Sequence, residues 1–212
     1  MLLLAFDTAT PSISVAVHDG SSVVGTSTGE GAMAHGELLA PAIAEALRAA
    51  GATAADLTDV AVGAGPGPFT GLRVGVVTAL TLGRTLGVTT HGVCSLDILA
   101  AEAADRLDGE FVVATDARRK EVYWGRFDAT GTRLSGPDVD FPDTVAQLGL
   151  PVVGRGGKLY ADRLDWVESA PLDPSASALA TLVASGRHRD LPLEPLYLRR
   201  PDATPQVAAK PA

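Results

Sequence analysis

An α/β protein of two packed subdomains, with mixed sheets flanked by helices, is the fold class this sequence predicts. Three observations carry it. Short β-prone runs alternate with runs of helical period along the chain, and an opening strand, Asp, turn, strand theme returns after residue 110. The 212 residues, 46% of them hydrophobic, also suffice for a sizeable core.

The elements follow in order. "LLLAFD", "ISVAVHD" and "SVVGTST" read as three antiparallel strands, the Asp19-Gly20 pair favouring a tight hairpin turn after the second. The period then changes. In "HGELLAPAIAEALRAAG", Leu39, Ile43, Ala46, Leu47 and Ala50 recur at helical spacing, and Gly51 is a natural stop. Leu38, Pro41, Ala42 and Ala49 make much of the other side apolar too, more than a helix covering one sheet face needs. "LTDVAVGAG" is a fourth strand ending in a glycine loop, "GLRVGVVTALTLGRTLG" a second helix, "VTTHGVC" a fifth strand and "SLDILAAEAADRLDG" a third helix.

The second helix carries Gly71, Gly75, Ala79 and Gly83 at four-residue spacing, a ridge almost without side chains. Each glycine costs about 1 kcal/mol of helix propensity relative to Ala, so something must approach this ridge closely. The chain's own sheet and a helix from a partner chain both fit that requirement.

The second half, "EFVVATDARRKEVYWGRFDATGTRL", repeats the opening theme: a β run ending in Asp116, a polar turn, a second β run, then a turn at Thr130-Gly131. "LPVVGRGGKLYADRL" reads as a strand with a glycine-rich turn, and "SASALATLVASG" as a last helix. The expected organisation is a subdomain at 1–105, a smaller one at 106–200 and a flexible tail at 201–212, with the proline-rich stretch lying on the body up to about Arg200.

Charge and composition narrow the function. Seventeen basic against 25 acidic residues give a formal charge of -8, which argues against an unaided grip on nucleic acid. Only Arg118, Arg119 and Lys120 cluster usefully, apart from Arg199 and Arg200. A single cysteine, Cys94, can form neither an internal disulfide nor a cysteine-rich zinc site, so a reducing compartment, the cytosol, is expected. "MLLLAFDTAT" is too short an apolar run for a leader or a membrane span.

The chemistry is thin. His18, His35, His91 and His188 have no close spacing, so no metal centre is expected, and no Gly-x-Ser-x-Gly elbow supports a hydrolase. The loop "GAGPGPFTGLRVG" lacks the Gly-Lys-Ser/Thr ending of a nucleotide-binding loop. The paired hairpins resemble the phosphate-binding loops of the actin, sugar-kinase and Hsp70-like superfamily. In that reading Asp7 and Asp116 orient metal-bound water while Thr8, Thr10 and the turn at Gly154, Gly156 and Gly157 face phosphate. Strand-end aspartates that simply cap their turns fit equally well.

The segments "LLLAFDTATPSISVAV", "HGELLAPAI", "GAGPGPFTGLRVGVVTALTLG", "GVCSLDILA", "ATDARRKEVYWGRF" and "PLYLRRPDA" resemble, in that order, the TsaB family of tRNA threonylcarbamoyladenosine synthesis. The resemblance implies an actin-like fold without catalytic residues, metal or cofactor. It implies a scaffold role beside TsaD, which transfers a threonylcarbamoyl group to N6 of adenosine 37 in tRNAs reading codons that begin with A. The ATPase TsaE joins the same system, tRNA is met only through the complex, and the isolated chain is expected as a homodimer, with no membrane association. The catalytic relative carries a His-x-x-x-His pair where this sequence has Ser95 and Leu99, so the metal, and with it a peptidase activity, is not expected. In the family the first two helices pack on their counterparts in TsaD, which nominates Leu38, Leu39, Ala42, Gly71, Arg73, Gly75, Ala79 and Gly83 as the partner face. Two other classes stay open: a nucleotide-dependent phosphotransferase built on Asp7 and Asp116, and an independent tRNA-binding protein.

Overall fold

The computed structural model describes residues 1–30 and 35–199. Arg200 and the expected tail at 201–212 lie outside the described residues.

The first sheet has strands β1 (Leu3–Asp7), β2 (Ser12–His18), β3 (Val23–Glu30), β4 (Asp59–Gly63) and β5 (Thr89–Val93) in the order β3-β2-β1-β4-β5. β1 is central, antiparallel to β2 and parallel to β4, and all five of its residues are buried. Its alternation decides which layer meets which face. Leu4 and Phe6 join the cluster of α1 (His35–Ala49) and α2 (Phe69–Leu86), whereas Leu3 and Ala5 join the cluster of α6 (Ala176–Ala184). The expected hairpin and helix stops are where the sequence placed them: Asp19 Oδ1 accepts from the amides of Ser21 and Ser22, and Gly51 adopts φ 65° two residues past α1.

The second sheet runs β8-β7-β6-β9, with β6 (Phe111–Asp116), β7 (Val122–Phe127), β8 (Arg133–Asp140) and β9 (Val152–Val153). A hairpin beside a central strand that is parallel to the next one is the arrangement of the first sheet less one edge strand, as the repeated theme led us to expect. β8 and the short α4 (Pro142–Ala146) are not anticipated by the sequence, and the glycine-rich turn of the second half folds as a short helix, α5 (Arg155–Leu159). Along β8 no buried residue alternates with exposed ones, so the strand leaves no period-2 signal.

Helix α3 (Ser95–Ala103) joins the halves. Its Ile98 packs into the first core, while Leu96, Leu99, Ala100 and Ala103 pack with Phe111, Val113 and Phe127 of the second. α6 belongs by position to the second half yet covers the first sheet, so residues 176–184 pack with the first subdomain and not with the sheet of the 106–200 segment. The last described segment lies along the body as expected, with Leu191 N–H donating to Gly92 O at 2.8 Å and Leu196 N–H to Ala64 O at 2.8 Å. Among the described residues no helix is long and apolar enough to cross a membrane.

Candidate functional site

Asp7 ends β1 and Asp116 ends β6, and both bond the chain's own groups. Asp7 is buried; its Oδ1 accepts from Ala9 N–H at 2.8 Å and its Oδ2 from Ser95 Oγ–H at 2.6 Å. Burial pushes its carboxyl up to about 6, against the pull of the Ser95 and Ala9 hydrogen bonds. Thr8 donates through Oγ1 to Gly71 O at 2.9 Å, and the Thr10 carbonyl bonds His35 Nε2 at 2.8 Å. In the second sheet, Asp116 Oδ1 accepts from Arg118 N–H at 2.7 Å and its Oδ2 pairs with the Arg118 guanidinium at 3.2 Å. Both aspartates cap their own turns.

Arg118, Arg119 and Lys120 form the tip of the β6–β7 hairpin, all exposed and all in the left-handed region at φ 63°, 53° and 64°. Gly154, Gly156 and Gly157 are packed closely by the chain itself: a Cβ on Gly154 would stand 2.5 Å from Ala114 O, one on Gly156 2.9 Å from Ala114 C, and one on Gly157 3.0 Å from the Trp166 ring. The space between the hairpins, lined by Thr10, Pro68, Thr115, Asp116, Arg118 and Arg155, amounts to about 10 Å³. That is room for one water at most.

The partner face nominated from sequence needs correction. The ridge of α2 turns inward: a Cβ on Gly71 would meet Thr8 O at 2.3 Å, one on Gly75 Thr8 Oγ1 at 2.4 Å and one on Gly83 Thr90 Cγ2 at 2.3 Å. Ala79 is fully buried, and Leu39 and Ala42 of α1 lie in the same core. The chain's own sheet and the turn after β1 are what approach the ridge, so five of these six residues are buried and Gly83 is half-buried. Leu38 is half-buried, and of the eight only Arg73 is exposed.

Two residues on from each ridge position, about 200° around the helix, lies the opposite face. There Phe69, Arg73 and Val77 form an exposed stripe at four-residue spacing, beside exposed Ala40, Pro41 and Ala44 of α1. Val77 is 58% exposed and Phe69 43%. At its start the stripe is partly capped by the last described segment: the Tyr197 ring stacks on Phe69 at 5.2 Å, and the Arg73 guanidinium lies 3.7 Å from the Phe69 ring centre.

Ser95 and Leu99 lie one turn apart on α3, both buried, the first bonded to Asp7 and the second in the second core. A different cluster escapes the sequence reading. His91 and His188, distant in the chain, meet edge to face at 5.2 Å beside Asp190 and Asp59.

The two sheets, each built on a hairpin whose first strand ends in a capping Asp, define an actin-like α/β protein. A family model described as TsaD, tRNA N6-adenosine threonylcarbamoyltransferase, matches residues 25–191. YeaZ from Pseudomonas aeruginosa superposes with a TM-score of 0.75 at 29% identity, covering 93% of this chain and 99% of that one. An uncharacterized protein of Mycobacterium tuberculosis (strain ATCC 25618 / H37Rv) is 43% identical over 212 residues, covering 96% of this chain and 94% of that protein. The Escherichia coli (strain K12) tRNA threonylcarbamoyladenosine biosynthesis protein TsaB is 35% identical over 137 residues, which are 60% of this chain and 55% of that protein. The chain belongs to the TsaD family and, within it, to the TsaB branch.

Proposed function

We propose that this chain is a non-catalytic partner subunit in the formation of threonylcarbamoyladenosine at position 37 of tRNA, docking on TsaD, with TsaE joining the assembly. The observation that carries the reading is the filled core at Ser95 and Leu99. Where the catalytic relative sets two imidazoles one helical turn apart, this chain has a hydroxyl spent on Asp7 and an aliphatic side chain with no ligand atom. The stripe of Phe69, Arg73 and Val77 beside Ala40, Pro41 and Ala44 supports docking through α1 and α2 and pairing with a second copy when TsaD is absent. A net charge of -8 supports meeting tRNA only within the complex.

The test is light scattering after size-exclusion chromatography of the chain with its cognate TsaD, wild type against Val77→Arg, followed by threonylcarbamoyl transfer to tRNA with the chain present or omitted. A heterodimer formed by the wild type and lost in the folded variant, with transfer that needs the chain but no turnover by it alone, is expected. Transfer by the chain without TsaD, or no association of the wild type, overturns the reading.

A further inference from the structure

The structure assigns His91, His188 and Asp190 as the ligands of one divalent transition-metal ion, zinc being the ion their nitrogen and carboxylate donors suit best, with Asp59 orienting His91 from behind. The site is built by the sheet. His91 on β5 stands two residues beyond Thr89, the partner of Asp59 in the β4–β5 ladder, so both side chains share one face. The bridge between Gly92 and Leu191 lays the His188–Asp190 segment against that edge.

Proton counting then bears on what sits between the rings. Asp59 Oδ2 already accepts from Thr58 Oγ–H at 2.6 Å, and its Oδ1 lies 3.2 Å from His91 Nε2. A carboxylate only accepts, so His91 carries its proton on Nε2. That leaves Nδ1, 3.5 Å from Asp190 Oδ1, as the ring nitrogen available to an ion. The same oxygen is 3.0 Å from His188 Nε2. Bonds of about 2.0–2.1 Å in tetrahedral geometry put ligand atoms about 3.3 Å apart, close to both separations. The ligand atoms of all three residues lie within 4.8 Å of one another. A carboxylate behind a ligating imidazole is the outer support that such sites use.

An ion can enter from the cleft of about 720 Å³ that His188 lines and from the solvent that reaches Asp190, whose side chain is 67% exposed. Bound there, it clips the last described segment to the edge strand. The site is independent of the subunit role. Thr90 faces Gly83 of α2, so its neighbour His91 points to the opposite face of the sheet.

The test uses the untagged full chain, stripped with a chelator and titrated with Zn2+ by calorimetry and with Co2+ by visible absorption. One equivalent bound by the wild type, a tetrahedral Co2+ spectrum and a thermal midpoint raised by Zn2+ are expected, with affinity weakened by about tenfold or more in His188→Ala and in Asp190→Asn. Equal affinity of the wild type and both variants, or no binding by the wild type, overturns the proposal. Asp190→Asn decides alone if His188→Ala fails to fold, because that side chain is mostly exposed.

Discussion

Ser95 Oγ, at the start of α3, donates a 2.6 Å hydrogen bond to Asp7 Oδ2 at the end of β1. The same hydroxyl accepts from Gly65 N–H at 3.2 Å, and a Cβ on Gly63 would stand 1.7 Å from the carboxylate. The end of the central strand, the glycine loop and α3 are thereby tied at one buried point. A carboxylate so enclosed cannot turn toward a ligand, and it makes the molecule's stability depend on pH.

Burial holds the Asp7 carboxyl at about 6, above its ordinary 3.8, so between those values the folded chain binds more protons than the unfolded one. The contribution of this group is fully present below its ordinary value and is lost as pH rises through about 6, a difference of about 3 kcal/mol. Asp7→Asn keeps an oxygen for Ala9 N–H and does not ionise. Denaturant unfolding from about pH 4 to about pH 7 is expected to show the variant gaining on the wild type as pH rises. Asp97, also held above the ordinary carboxylate range by burial, leaves a residual slope in both proteins. Parallel profiles for the two would mean that Asp7 does not carry the effect.

Gly75→Ala tests the direction of the ridge. The new methyl would meet Thr8 Oγ1 at 2.4 Å, and overpacking of that kind costs about 1–3 kcal/mol, more than the ~1 kcal/mol that helix propensity returns. Val77→Arg, on the opposite face, is expected to change stability by no more than about 0.5 kcal/mol. If the Gly75 variant were as stable as the wild type, the ridge could not be the face against the sheet.

Tyr197 anchors the end of the described chain through its stack on Phe69 and through a 3.0 Å bond that Arg73 Nε–H donates to Tyr197 Oη. Tyr197→Ala is expected to cost about 1 kcal/mol and to speed amide exchange and proteolysis over residues 192–199 without affecting α2. Unchanged exchange there would show that Leu196 and its bond to Ala64 hold the segment unaided.

Three successive side-chain-bearing residues at positive φ, Arg118 to Lys120, store backbone strain at the β6–β7 tip. Lys120→Gly is expected to stabilise the chain by about 1 kcal/mol, read as a raised thermal midpoint. A midpoint that stays put or falls would mean that the lysine side chain compensates for its own conformation.

Much of this molecule could be read from local signals. The strands of the first sheet, α1 to α3, the second hairpin and α6 all announce themselves by period and by their stops, because burial on one side of an element is written into spacing. The motifs that carry the family resemblance are likewise contiguous in the chain. β8 leaves no local signal because an edge strand that buries no alternate residue has no period to read, and α5 leaves none because Gly154, Gly156 and Gly157 resemble a loop.

The candidate sites divide along the same line. Spacing along α2 shows that a surface must come close to Gly71 and Gly75, but spacing cannot say whose surface it is, and only the packing of Thr8 against the ridge answers that. Asp7 reads as a strand-end acid; that its partner is Ser95 depends on where β5 delivers α3. His91 and His188 look isolated in the chain, and the bridge between Gly92 and Leu191 makes them neighbours. Period and turn chemistry are set by residues a few positions apart, whereas these meetings are set by sheet register and crossovers, which join parts of the chain that share no local signal.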